Sequence, residues 1–543
     1  MKGNRLEKAT KSAILVMVLT SLSKIMGFLR EMLIGFRFGL GGDTDAFFMA
    51  MTINGVLITI IALALRQSMI PIFTDIRGKQ GEYEENRYLS RFSLLIFLGS
   101  LVSIGVFYVA APLLVSLFAI GFEGEIFDFT VRLVRIGLPS MVAVVLTDVF
   151  NAYIHSKENF GIPALMGIPF NIPFFIFLIF MGEQYGLSGL MITAVAANFL
   201  QWLLTMGFSR KIGWRYNPKT TIGDALQDKN VKRTFMFVGP VILGTMVSKF
   251  NVIVDRALAS GLVAGSVSAL SYAEKVKALV YGVFILTLVT IIYPILAKEG
   301  DEKNPANFNR MLLKGINVML LMTIPVAVGT ILLAEPMIRV LFQRGAFDVW
   351  STNMTAFALS FYAVGFVGIG VREMLIRGFY SLKDTKTPME NGIYVVSLNV
   401  ALNLLFVRFF DHGGLALGTS VASILGAYLL LKELRKKIDI GGGRQMLLCA
   451  AKSAVASLAM AGVIFFGAGY FRTGWFVRAA AYQGPVPELF MLLLAITLGA
   501  GVYFSVLYFF KIEEVEMLKG LVLDKISQKN KEDSGTKEDS GTE

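Results

Sequence analysis

The sequence predicts an all-α polytopic membrane protein of about fourteen spanning helices, arranged as two parallel six-helix repeats plus two extra C-terminal helices. Three observations predict it. Hydrophobic residues make up 55% of the 543 residues and charged residues only 17%, far from the composition of soluble domains. Stretches of about 20 mostly apolar residues, the length needed to cross a bilayer, recur along the whole chain. Motifs in the first half also return in the second at a nearly constant offset.

The apolar stretches lie at 13–38, 45–75, 91–118, 129–156, 162–181, 187–209, 234–260, 266–297, 309–334, 351–379, 389–409, 414–434, 446–468 and 488–511. Several exceed one span and predict tilt or extension beyond the bilayer. The first is too long for a cleaved signal segment and is read as a retained helix. No loop is long enough to fold as a separate domain.

The repeat is read from spaced residues. Pro71, Asn86, Arg87 and Arg91 return as Pro294, Asn309, Arg310 and Lys314. Pro112, Phe118 and Gly121 return as Pro336, Phe342 and Gly345, and Thr193, Val195 and Ala196 as Thr419, Val421 and Ala422. Ser23-Lys24 returns as Ser248-Lys249. The offset stays within 223–226 residues, so one unit is duplicated. An even number of helices per half makes the repeats parallel, and a duplicated membrane bundle is the signature of a secondary transporter with its substrate between the halves. The boundaries are 1–210 for the N-lobe, 211–233 for a polar cytoplasmic linker and 234–440 for the C-lobe. Residues 441–512 hold the two extra helices behind a Gly441-Gly442-Gly443 hinge. Residues 513–543 form a charged tail that repeats Lys-Glu-Asp-Ser-Gly-Thr and is predicted to be disordered.

The net charge of +12 is not a nucleic-acid signature, because the cations sit at alternate loops. Lys2, Arg5, Lys8 and Lys11 precede the first span, and Arg77, Lys79 and Arg87 follow the second. Arg210, Lys211 and Arg215 follow the sixth, Lys383 and Lys386 the tenth, and Arg435 to Lys437 the twelfth. This positive-inside pattern predicts both termini in the cytoplasm. The outer loop at 335–348, with Arg339 and Arg344, fits it least. One cysteine, Cys449, excludes an intramolecular disulfide, and two distant histidines argue against histidine-rich metal chemistry. No Gly-x-x-x-x-Gly-Lys-Ser/Thr loop is present, and no large outer loop or His–carboxylate cluster suggests an enzyme.

Ionisable groups inside a bilayer cost about 2.5–3.5 kcal/mol each on insertion scales, so they face a cavity or a partner. The first span carries Lys24, Arg30, Glu31 and Arg37. Seven-residue spacing aligns Ser23, Arg30 and Arg37 on one stripe, with Lys24 and Glu31 beside it. The seventh span aligns Lys249 with Arg256 and Ser248 with Asp255, and the eighth adds Glu274, Lys275 and Lys277. Facing one another, these groups form a cationic cavity suited to a phosphate or pyrophosphate. The competing reading pairs Arg30 with Glu31, Asp255 with Arg256 and Glu274 with Lys277 inside the bundle. Asp148 is a further candidate for the inner part of such a cavity. Asn399 and Asn403, on one face by their i,i+4 spacing, offer oxygens for a small cation such as Na⁺ together with Thr419 and Asp255. Plain interhelical hydrogen bonding is the alternative.

The run Ser23-Lys24-Ile25-Met26-Gly27-Phe28-Leu29-Arg30-Glu31, with Gly39 and Asp45-Ala46-Phe47-Phe48, resembles the opening signature of the MurJ (MviN) lipid II flippases. Arg377-Gly378-Phe379-Tyr380-Ser381-Leu382-Lys383-Asp384-Thr385-Lys386-Thr387-Pro388 resembles that family's loop between helices 10 and 11, and Gly414 to Ser420 continues it. The likeness runs from about 13 to 510. It implies a fold of the multidrug/oligosaccharidyl-lipid/polysaccharide exporter type, with two lobes in a V. It implies lipid II, or a related polyprenyl-pyrophosphate glycan, as substrate in a bacterial cytoplasmic membrane, with membrane lipids and cell-wall synthesis proteins as partners. No nucleic acid and no catalysis are expected.

By the same resemblance Lys24, Arg30 and Lys275 fall on basic substrate positions, two of them as lysine where arginine is usual. Lysine keeps the charge and loses the bidentate fork. Asp45 matches an acidic position at the start of the second span, and the last two helices would line a groove for the lipid tail. A family sodium site fits Asp255, Asn399, Asn403 and Thr419, with Asn403 standing where aspartate is expected. The family's arginine pair in the second span falls on Ile58-Thr59 here, and Arg66 lies eight residues beyond Ile58. The nearest alternatives are a flippase for another polyprenyl-linked oligosaccharide and a cation-coupled drug antiporter of the same fold. The latter would favour acidic and aromatic cavity groups over this basic set.

Overall fold

The structure, a computed structural model, describes residues 2–217, 220–301, 305–438, 442–473 and 485–510. Gly441 of the hinge and the repeated tail lie outside the described residues.

The described chain is helical: α1 Lys2–Phe38, α2 Gly42–Phe118, α3 Gly124–Gly137, α4 Ser140–Ser156, α5 Gly161–Leu165, α6 Gly167–Phe180, α7 Gly182–Lys211 and α8 Ile222–Gln227. There follow α9 Lys229–Ser260, α10 Ser266–Val280, a π-helical turn Tyr281–Leu286, α11 Thr287–Asp301, α12 Pro305–Phe342, α13 Val349–Val364 and α14 Phe366–Ser381. The last three are α15 Lys386–Lys437, α16 Gly443–Thr473 and α17 Pro485–Phe509. All fourteen apolar stretches fall on these elements. Eight helices are long and apolar enough to cross a membrane, or ten if each of two bent pairs is one span. That number falls short of fourteen partly because α2 and α15 each contain two of the predicted stretches. Also, α1 and α9 are outside the set.

The breaks have local causes. Gly81 takes φ +85° in the middle of α2, a left-handed conformation that costs a glycine nothing, and the chain reverses there. Asp411 does the same in α15 at φ +47°, just before Gly413 and Gly414. The α3/α4 bend of 41° falls at Leu138-Pro139 and the α13/α14 bend of 43° at Gly365, near-equivalent points of the repeat. Proline has no N–H to continue the ladder, which accounts for the first.

Two compact units emerge: residues 1–272 with 341–355, and residues 273–340 with 356–543. In the first, Phe73 on one arm of α2 meets Tyr88 on the other and Tyr153 of α4 edge-on, at 5.2 and 5.6 Å between ring centres. Such edge-to-face contacts are the favoured geometry for aromatic pairs, and close packing of this kind holds helices together where lipid supplies no hydrophobic drive. The Tyr88 hydroxyl is satisfied by Thr234 of α9 at 2.6 Å. Toward the Gly81 end of this unit three cations find carboxylates: Lys157 with Glu85 at 3.0 Å, Arg91 with Asp228 at 2.7 Å and Arg233 with Asp75 at 2.6 Å.

The glycines of the repeat share a purpose. A Cβ on Gly121 would lie 2.3 Å from Gly261 Cα, and one on Gly345 would lie 2.4 Å from the Phe36 carbonyl oxygen. Each lets the loop after a long hairpin touch another backbone. Arg339, the weak point of the charge pattern, lies on α12 and pairs with Glu335.

In the second unit, Leu312, Ile316 and Met319 of α12 pack on Met374 and Phe379 of α14 and Leu430 and Leu434 of α15. The two extra helices are seated on α12 by Tyr503, whose hydroxyl donates to the Leu321 carbonyl at 2.6 Å and meets Ser453 at 2.8 Å. In the α14–α15 loop, Asp384 accepts the Lys386 and Thr387 amides at 3.0 Å each, the Thr387 hydroxyl at 2.6 Å and the Lys437 ammonium. Burial pushes the Asp384 carboxyl up, but the Lys437 and Thr387 hydrogen bonds outweigh it and hold it well below the usual carboxylate range.

Candidate functional site

The polar stripe of α1 runs against α6. Ser23 is wedged on Gly167, where a Cβ would come within 1.7 Å of its hydroxyl, so Ser23 serves as a helix contact. Lys24 is exposed. Arg30 donates from Nη2 to Glu31 Oε1 at 2.8 Å, with the arginine side chain 19% exposed and the glutamate buried. The guanidinium carbon lies over the Phe174 and Phe170 rings of α6, with Cζ 4.7 and 5.6 Å from the ring centres. Farther along, Arg37 reaches Glu183 of α7 at 3.2 Å.

Asp45 is placed away from that stripe. It is 3% exposed and accepts the backbone N–H of Gly265, the backbone N–H of Ser268 and the Ser268 hydroxyl, at 2.7, 2.7 and 2.6 Å. It therefore caps the first turn of α10 from outside that helix, supplying an acceptor for donors that a helix start leaves unpaired. Arg256, also buried, donates to the Val267 carbonyl of the same turn at 2.8 Å. Lys249 of α9 is half-buried. Asp148, considered for the cavity, pairs with Arg66 at 3.3 Å.

In the second unit Glu274 pairs with Lys277 at 3.6 Å, and the Lys277 ammonium sits 4.1 Å above the Tyr362 ring centre. Lys275 beside them is half-buried. The Arg30–Glu31 and Glu274–Lys277 pairings of the competing reading are thus present.

The candidate cation ligands of this unit form a hydrogen-bonded chain. Asn403 Nδ2 donates to Asn399 Oδ1 at 3.0 Å, Asn399 Nδ2 to Thr419 Oγ1 at 3.1 Å, and Thr419 Oγ1 to the Leu415 carbonyl at 3.1 Å. The Asn403 carbonyl lies against Gly418, 2.1 Å from where a Cβ would stand. N–H donors occupy Asn399 Oδ1 and Thr419 Oγ1, as interhelical hydrogen bonding would have it, while Asn403 Oδ1 is buried with no hydrogen-bond donor among the described residues. Among the described residues no group of three His, Cys, Asp or Glu side chains is placed to hold a metal.

Charge patterning did not point to Phe170, Phe174 or Tyr362. For the first two the available signal was their i,i+4 spacing on an apolar helix, which places both rings on one face. A second feature, an apolar cavity of about 220 Å³ in the second unit, is lined by Phe284, Met322, Leu333, Met460, Tyr503 and Phe504.

Comparison with known proteins bears on this arrangement. Residues 35–483 match the family described as lipid II flippase MurJ. The chain is 27% identical over 498 residues to the lipid II flippase MurJ of Burkholderia cenocepacia, covering 90% of this chain and 95% of that one. It is 27% identical over 431 residues to the probable lipid II flippase MurJ of Buchnera aphidicola subsp. Baizongia pistaciae, covering 78% and 83%. A solved lipid II flippase MurJ in an inward closed conformation superposes with a TM-score of 0.73 at 25% identity, over 92% of this chain and 98% of that one. An inward-facing multidrug resistance transporter of the MATE family, MOP superfamily, superposes at 0.63 with 14% identity, over 79% and 98%, a likeness of fold alone.

Proposed function

This chain belongs to the lipid II flippase MurJ family, and on that premise we infer that it carries lipid II from the inner to the outer leaflet of a bacterial cytoplasmic membrane for cell-wall synthesis. The headgroup is a disaccharide-pentapeptide on undecaprenyl pyrophosphate, and the process is transport by alternating access without covalent catalysis. One observation carries the site assignment. Arg30 is a permanent cation on α1, the first of the predicted spans, and a single hydrogen bond to Glu31 occupies it among the described residues. Arginine's planar fork matches a phosphate's oxygens, so its remaining donors suit the pyrophosphate.

Lys24 adds positive charge as a point cation, with Lys249 and Arg256 as lesser candidates, and Lys275 is the candidate cation of the second unit. The apolar cavity beside the last two helices takes the polyprenyl tail, since its lining matches the hydrocarbon the tail would leave and packing contacts replace those with lipid. Both termini lie in the cytoplasm, following the charge bias of the loops. Membrane potential supplies the driving force, at about 2.3 kcal/mol per charge for each 100 mV. Cell-wall synthesis proteins are the partners that would consume the product. A drug antiporter is not favoured, because the first span presents Lys24 and Arg30 rather than an acidic pair.

The test is leaflet-resolved lipid II in cells depleted of this protein and supplied with wild type or Arg30→Ala. Wild type restores outward lipid II and Arg30→Ala does not. Unchanged outward lipid II under depletion, in a strain with no second flippase, overturns the assignment.

A further inference from the structure

The geometry around Arg30 contains more than a charge pair. Its guanidinium carbon lies 4.7 Å from the ring centre of Phe174 and 5.6 Å from that of Phe170, and the two rings are 5.5 Å apart, tilted by 56°. Phe174 is 3% exposed. Arg30 Nε is buried and has no hydrogen-bond partner among the described residues. Leaving a buried donor of a charged group unsatisfied is costly, so something must offset it.

Aromatic faces do so in a particular way. The negative quadrupole above a ring attracts a cation approaching its face, more strongly where water is excluded. This attraction acts along the ring normal on the guanidinium's charge and supplies no oxygen acceptor for its N–H donors. A carboxylate that neutralised Arg30 by hydrogen bonding would occupy those donors, and a ring does not.

We propose that Phe170 and Phe174 are positioning residues for substrate: their rings hold the Arg30 guanidinium by cation–π attraction and leave its in-plane donors for a phosphate group. The i,i+4 placement on α6 gives both rings to one side chain, and Glu31 fixes the guanidinium's rotation from its edge. The inference rests on the flippase reading for the identity of the anion. It adds a role for two uncharged residues that no charge argument selects.

The test must separate attraction to the ring face from ordinary packing. Phenylalanine with one, two or three ring fluorines is incorporated at position 174 of the full-length chain. Fluorination weakens the quadrupole in steps while nearly preserving ring size. Undecaprenyl pyrophosphate is titrated into each protein in lipid nanodiscs, with undecaprenol as the uncharged control and thermal unfolding as the check on folding. Affinity for the pyrophosphate lipid falls stepwise with fluorine number, by about three- to tenfold at three fluorines, while affinity for undecaprenol stays level. A flat series in which Arg30→Ala still weakens pyrophosphate binding overturns the positioning role and leaves the flippase reading intact. Unchanged pyrophosphate binding by Arg30→Ala overturns both.

Discussion

Asp45, at the start of the second helix, accepts two hydrogen bonds from Ser268, which lies 223 residues away, one from its backbone N–H at 2.7 Å and one from its hydroxyl at 2.6 Å. A buried carboxylate with three donors, counting the Gly265 amide, is a fixed structural element. The resemblance placed Asp45 among substrate residues, and its local geometry supports a helix cap. Loss of an N-cap costs about 0.5–2 kcal/mol. Asp45→Ala should therefore lower the unfolding temperature in detergent and speed hydrogen exchange at the Ser268 amide. Asp45→Asn, which keeps one acceptor, should fall between. Undecaprenyl pyrophosphate affinity of the folded fraction should stay within about twofold of wild type if the carboxylate is a cap. A large loss of affinity with unchanged stability would return it to the substrate site.

Gly345 is held at φ +60° with its α-carbon against the Phe36 carbonyl. Gly345→Ala combines a disfavoured backbone conformation with a clash and should destabilise by about 2 kcal/mol or more. Gly99, in a helical stretch of α2 with open space around its α-carbon, is the control. Gly99→Ala should leave stability level or raise it by about 0.5–1 kcal/mol. Thermal unfolding of the two variants side by side checks both, and equal behaviour would contradict the close approach.

Asp384 ties the α14–α15 loop to the end of α15 through Lys437. Its carboxyl titrates below the usual 3.8, so its contribution to stability is complete above that pH. The contribution is lost as pH falls from 3.8 toward the lower folded-state value. Asp384→Asn should thus lower the unfolding temperature at pH 7, and the gap to wild type should close in acid. A gap that persists unchanged at pH 3 would show that the charge is not what the loop uses.

The energetic proposal is open to a transport measurement. In proteoliposomes, movement of a fluorescent lipid II analogue should follow a potassium–valinomycin potential, faster when the destination side is positive. Replacing Na⁺ with choline at fixed potential should not change the rate, because Asn399, Asn403 and Thr419 bond to one another. A rate that tracks Na⁺ and ignores the potential would reverse this assignment.

How much was legible beforehand differs by kind of feature. The helices, the duplication and the cation-rich first span follow from composition and spacing, which are properties of the chain in order. The Arg30–Glu31 pair was visible as well, since adjacent residues meet in any helix. Gly121 and Gly345 stood out as a repeated pair, but nothing local revealed that each is needed for a backbone contact. Asp45 was named by resemblance alone, and nothing local in the sequence revealed that Ser268 and Gly265 would supply its donors. Phe170 and Phe174 were two aromatics in an apolar run, indistinguishable by sequence from ordinary packing.

By itself, therefore, the sequence determined a duplicated helical membrane protein of this family with permanent cations on its first helix. The reason is that hydrocarbon demands long, internally hydrogen-bonded apolar segments, and those are written in consecutive residues. Tertiary structure decided what each polar group does there. Whether a buried charge caps a helix, pairs with a neighbour or lies over a ring depends on which distant side chain arrives within about 3–6 Å. For Asp45 that partner is Ser268, and for Arg30 it is Phe174.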